Sequence, residues 1–151
     1  MRHLARAALA IALATATGLA GYAVTDARNA DASTVLGPGL VTVTVSIRYS
    51  QFSMSTLKVH AGSTVRFLVR NDDPITHEFI VGDAAVHARH ENGTHPAHPP
   101  VPGEVTVTSG QLGETFFRFD QPGRYLFACH LPGHFAYGMR GWVEVEPVNV
   151  T

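Results

Sequence analysis

From residue 40 onward the chain alternates between apolar and polar positions. In LVTVTVSIRY (40–49), Val41, Val43, Val45 and Ile47 are interleaved with Thr42, Thr44, Ser46 and Arg48. That period of two sends one face of a strand into a core and the other into water. The same logic runs through LKVHAGSTVRFLVRND (57–72): a short strand, a turn at Ala61–Gly62, then Val65, Phe67 and Val69 alternating with Arg66, Leu68 and Arg70. HEFIVG (77–82) predicts another short strand. GETFFRFDQPGRYLFACH (113–130) predicts two more, joined at Gln121–Pro122–Gly123, where proline fixes one backbone angle and glycine frees the next. RGWVEVEP (140–147) closes the series, with Trp142, Val143 and Val145 as expected core and Pro147 as the stop.

Seven or eight short strands separated by Gly/Pro turns, with no helical run after the N-terminal segment, predict an all-β fold: a Greek-key β-sandwich. One stretch breaks the pattern. GDAAVHARHENGTHPAHPPVPGE (82–104) is too long and too rich in His and Pro to be a hairpin. It reads as an inserted loop with a helical turn near Ala84 to His90.

The N-terminus differs in kind. Arg2 and Arg6 precede an apolar, Ala-rich stretch from Ala7 to Ala20, followed by small residues. Residues 1–23 therefore read as a secretory signal cleaved after Ala20 or Ala23. The competing reading is an uncleaved anchor, since Ala7 to Val24 is near the lower length limit for a spanning helix. Residues 24–36 would be a linker and 37–151 the folded domain, facing outside the cytoplasm: periplasmic, secreted, or held at the membrane by that segment.

Composition narrows the function classes. A hydrophobic content of 45% supports an ordinary core. Eleven basic residues against twelve acidic ones leave no basic field for nucleic acid. Nine histidines stand out, as does a single cysteine, which can form no intramolecular disulfide. A free thiol in an oxidising compartment invites oxidation, and a metal-bound thiolate would resolve that difficulty.

Cys129 lies in ACHLPGHFAYGM (128–139), with His134 and Met139 following at intervals of five. A blue-copper centre needs two imidazoles and a thiolate in a trigonal set, with a weak axial thioether. This loop supplies three of those four donors. His77, where the turn RNDDPIT enters a strand, is the best candidate for the fourth. Taken singly, Cys129 and Met139 would more often be core residues; the spacing points instead to a metal.

FACHLPGHFAYGM, preceded by PGRYLF and paired with NDDPITHEF, resembles the cupredoxins, the small type 1 copper proteins, and in its ligand spacing their rusticyanin- and sulfocyanin-like members. The resemblance covers residues 40 to 147. It implies copper bound by His77, Cys129 and His134, with Met139 as the long axial ligand. His134 would be the electron exit, inside an apolar patch of Leu131, Pro132, Phe135 and Tyr137. Asn71 and Thr76 would be outer donors holding the loops together. The same loop also resembles the mononuclear copper loop of multicopper oxidases. However, Ala128 precedes Cys129 where those enzymes have histidine, and no His-x-His pair exists, so the oxidase reading fails.

His130 should point to the opposite side of the strand from Cys129. His87, His90, His95 and His98 form two His-x2-His pairs. If Ala84 to Glu91 is helical, His87 and His90 share a face that could take Cu(II) or Zn; the alternative is a solvated loop with a compositional bias. No paired carboxylates, phosphate loop or nucleophile motif is present, so the chain reads as no enzyme. The expectation is an exported, monomeric carrier of single electrons between redox proteins. Copper binding for resistance or delivery is the alternative.

Overall fold

The computed structural model describes residues 34–93 and 100–148. The segment read as a signal, His95 and His98 lie outside the described residues. Among the described residues, nine strands and one helix follow in order: β1 Leu40–Arg48, β2 Gln51–Phe52, β3 Thr56–His60, β4 Ser63–Asn71, β5 His77–Gly82, α1 Ala84–Glu91, β6 Glu104–Val107, β7 Leu112–Phe119, β8 Gly123–Ala128 and β9 Arg140–Glu146. They form two sheets, of order β2-β1-β4-β7 and β3-β9-β8-β5-β6. The β1–β4 and β3–β9 pairs are parallel, which requires crossovers between sheets and fits the expected sandwich.

Alternation sets the core. Val41, Val43, Val45 and Ile47 of β1 and Val65, Phe67 and Val69 of β4 are buried, while their polar neighbours face outward. Each such side chain taken out of water contributes on the order of 1.5–3 kcal/mol. Between the sheets, Phe79 packs against Phe67, Phe52 and Phe127, with ring centroids 4.9, 5.5 and 5.4 Å away. Leu36, in the segment read as linker, joins this core and bridges Val59.

β5 departs from alternation: all six residues are buried. α1 packs against this strand, whose Phe79–Gly82 part is apolar without a break, as a strand covered on both sides demands. Asp83 caps this helix, its carboxylate accepting from the amides of Ala85 and Val86 at 2.9 and 3.0 Å. The expected helical turn is thus present as a two-turn helix. β2 and β6 are additions to the strands read from sequence. β6 follows a Pro/Gly-rich stretch and is placed by pairing with β5.

Trp142 is a correction. It was expected in the core, but it is 36% exposed, with the Arg124 guanidinium 4.3 Å above its ring. Within β9 the inward positions are Gly141, Val143 and Val145, which forces Trp142 to the outer face. Gly141 is required there: a Cβ would come within 2.2 Å of the Phe127 ring and 2.6 Å of the Ser55 carbonyl oxygen.

Candidate metal centre

The sheet that carries β5, β8 and β9 brings the candidate ligands to one end of the sandwich. His77 opens β5. Cys129 follows β8 directly, where Ala128 is still paired with Arg140 of β9. The intervening loop is tied by short-range bonds: the amides of His134, Tyr137 and Gly138 donate to the carbonyls of Leu131, Gly133 and Phe135. Two further bonds close it, from the Cys129 amide to the Met139 carbonyl at 3.1 Å and from the Met139 amide to the His134 carbonyl at 3.0 Å. Gly138 adopts φ +94°, a left-handed conformation that residues with a Cβ rarely accept.

Among the described residues, His77, Cys129 and His134 hold their ligand atoms within 4.8 Å of one another. Cys129 Sγ lies 3.2 Å from His134 Nδ1. The rings of His77 and His134 sit 4.9 Å apart, tilted by 37°. His77 and Cys129 are fully buried and His134 is half-buried, so one imidazole of the cluster reaches toward the surface. Met139 is buried, its backbone bonded to Cys129 and His134. Of the apolar residues expected around His134, Pro132 and Tyr137 are exposed while Leu131 and Phe135 are half-buried.

The residues fit a metal. Nε2 of His77 is 3.0 Å from Asp73 Oδ2, to which it donates, and its Nδ1 is buried with no hydrogen-bond partner. A buried lone pair without a partner is costly unless something occupies it. Burial also pushes the Cys129 thiol up, against the opposing influence of the Glu78 amide, which reaches Sγ at 3.4 Å. A metal-free site therefore keeps its proton, and binding must release it. Burial pushes His77 down, with Asp73 acting in the other direction, so the ring is neutral and able to ligate. Two nitrogens and one thiolate in a dry pocket suit a copper ion that alternates between its softer and harder oxidation states.

Asp73 was not singled out in the sequence. Its carboxylate accepts from the amides of Tyr49 and Ser50, both at 2.6 Å and both in left-handed conformations. Burial pushes the Asp73 carboxyl up, but these amides and His77 outweigh it and hold it below its usual value. Asn71 acts as expected. Its Nδ2 donates to the carbonyls of Ile75 and Val107 at 2.7 and 2.9 Å, and its Oδ1 accepts from the Asp73 amide at 2.9 Å. Thr76 is half-buried beside His77.

His130 does point away from Cys129, toward α1. Its Nε2 lies 2.9 Å from Nδ1 of His87. His90 has a different partner, Glu104, at 2.8 Å. The rings of both helical histidines nonetheless flank His130, with centroids 5.2 Å away for His87 and 6.1 Å for His90.

A family model described as copper binding proteins, plastocyanin/azurin family, matches residues 40–146. A copper-resistant cuproprotein CopI of Rubrivivax gelatinosus is 39% identical over 99 residues, or 64% of this chain and 60% of that protein. Auracyanin-B of Chloroflexus aurantiacus is 30% identical over 111 residues, covering 64% of this chain and 47% of that one. The chain thus spans about half to three-fifths of the length of these relatives. Reduced auracyanin from Roseiflexus castenholzii superposes with a TM-score of 0.60 at 22% identity, covering 70% of this chain and 97% of that one; this likeness bears on the fold.

Proposed function

The chain belongs to the plastocyanin/azurin family of copper-binding proteins, and from that premise we propose that it is an exported carrier of single electrons. The observation that carries this reading is the convergence of His77, Cys129 and His134 at one end of a rigid sandwich. These three would hold copper, and Met139, buried in the same loop, would add a weaker sulfur donor. Copper bound there supplies one-electron chemistry by cycling between its cuprous and cupric forms.

The protein's own part is to hold the donors still and to connect them to a partner. The Cys129–Met139 and Met139–His134 backbone bonds fix three of the four donors relative to one another. Asp73 and Asn71 fix the turn that precedes the fourth. A site that barely rearranges between oxidation states transfers electrons with little barrier. His134, half-buried and flanked by exposed Pro132 and Tyr137, offers the exit. Its partners are redox proteins that dock transiently over a small surface, outside the cytoplasm as the N-terminal segment indicates. The chain acts as a carrier rather than an enzyme.

A second reading rests on the 39% identity to a protein named a copper-resistant cuproprotein: the chain binds copper to handle it rather than to pass electrons. A titration of the purified protein with Cu(II), followed by visible absorption and EPR, tests both. An intense thiolate-to-copper band saturating at one equivalent, absent in Cys129→Ser and bleached reversibly by a one-electron reductant, is the expected result. No such band would overturn the electron-carrier reading.

A further inference from the structure

We propose that His87 and His130 form a second site, for a soft monovalent metal ion such as copper(I), on the opposite side of Cys129 from the primary centre. The two residues are far apart in sequence. α1 and the end of β8 bring them together, with His87 Nδ1 2.9 Å from His130 Nε2.

The hydrogen-bond pattern fixes what lies between them. Nε2–H of His87 donates to the Leu126 carbonyl at 3.0 Å, which leaves Nδ1 as a bare lone pair. The proton between the rings therefore sits on Nε2 of His130, and the two nitrogens face each other along one line. A d10 monovalent ion favours two nitrogen donors on opposite sides. It can take the place of a proton in such a head-on pair, whereas zinc, which wants four ligands, cannot. Metal–imidazole bonds run to about 2 Å, so the rings must part from 2.9 Å to roughly 4 Å.

There is room for that movement. A cavity of about 320 Å³ opens beside the pair, lined by His87, His130, Phe135 and Trp142 among others. It offers an entry path as well as space. The proton account also balances. As the ion binds Nε2 of His130, the proton displaced from that atom is taken up at Nδ1 of the same ring. That Nδ1 is buried with no hydrogen-bond partner in the metal-free fold, so the tautomer shift breaks no bond there.

The location gives the site a role. His130 is joined to Cys129 by one peptide bond, so a copper ion taken up from the cavity would be held by the residue next to the thiolate ligand in the chain. His130 is braced there by the Phe135 ring, 5.1 Å away and nearly parallel. This goes beyond the electron-carrier reading and supplies the second ion that a copper-handling role needs.

The test is an anaerobic copper(I) stoichiometry on the purified protein, measured against a chromophoric copper(I) chelator. The wild type is expected to retain two equivalents. His87→Asn and His130→Asn should each retain one and still develop the full thiolate-to-copper band on oxidation; Cys129→Ser should also retain one. A wild type that retains a single equivalent, lost in Cys129→Ser, overturns the second site and leaves the primary one standing. A second equivalent that survives in both histidine variants, or that depends on His95 and His98 instead, overturns it too. If the variants lose the band through misfolding, long-range 1H–15N spectra of the wild type decide. Silver(I) added to the protein carrying one equivalent of copper(I) should shift His87 Nδ1 and His130 Nε2, and unmoved resonances would refute the site.

Discussion

The carboxylate of Asp73 lies 3.0 Å from Nε2 of His77, and both side chains are buried. The same carboxylate gathers the Tyr49 and Ser50 amides, which sit on the connection between β1 and β2. One acid thus orients a candidate ligand of the five-stranded sheet and pins a turn of the four-stranded sheet. Carboxylate–histidine pairs of this kind set the tautomer and basicity of a metal-ligating imidazole. Asp73 is a positioning residue for the proposed centre.

Asp73→Asn should therefore weaken copper binding without abolishing it, by the 10- to 100-fold that outer partners typically contribute. Removing a nearby negative charge disfavours the cupric form more than the cuprous one. A tenfold difference between the two forms would raise the reduction potential by about 59 mV. Protein-film voltammetry on wild type and variant checks this; an unchanged potential would mean that Asp73 serves only the turn.

Asn71→Ala tests the neighbouring clamp. The substitution leaves the carbonyls of Ile75 and Val107 and the amide of Asp73 without their partner inside the protein. Each unmet buried group costs about 1–3 kcal/mol; two of the three contacts are buried and the one to Ile75 only partly so, so a loss of roughly 2–6 kcal/mol in urea denaturation is expected. A cost under about 1 kcal/mol would show that water replaces the side chain.

How far these features could be read in advance depends on where their causes lie. Cys129, His134 and Met139 share one loop, so local spacing carries the information, and His77 follows a turn that announces itself. Asp73 was hidden by its neighbour: Asp72 and Asp73 look alike in sequence, yet Asp72 turns outward to Arg48 and Arg70. The His87–His130 contact spans two elements whose packing no local pattern encodes. Trp142 is hydrophobic, but the alternation of β9 puts it on the outward phase. Gly141, contributing no side chain, is the inward residue. HEFIVG marks β5 as a strand, but its burial on both sides depends on α1.

Gly141→Ala should destabilise the fold by about 1–3 kcal/mol, the usual cost of overpacking a filled core, since its Cβ would meet Phe127 and the Ser55 carbonyl. Phe127 stands two residues before Cys129, so a perturbed thiolate-to-copper spectrum should accompany the loss. Thermal unfolding with and without copper separates the two effects.

Copper itself should stabilise the fold by mass action. At a free concentration 100 times the dissociation constant the gain is about 2.7 kcal/mol. The midpoint of thermal unfolding should rise accordingly in the wild type. With copper(II), most of that rise should vanish in Cys129→Ser, where the thiolate is gone. An equal rise in both proteins would locate the stabilising copper elsewhere.

Met139→Leu distinguishes an axial ligand from a core residue. Met139 is fully buried, and exchanging it for leucine conserves volume, so the stability cost should stay under about 1.5 kcal/mol whichever role it has. The electronic consequences differ. If Met139 supplies the weak axial bond, its loss removes a donor that favours the cupric state. The potential should then rise and the absorption bands should shift, while copper still binds through His77, Cys129 and His134. If it merely fills space, potential and spectrum stay as in the wild type. Voltammetry and visible absorption on one variant therefore settle a role that burial alone leaves open, because packing and ligation place the same side chain in the same position.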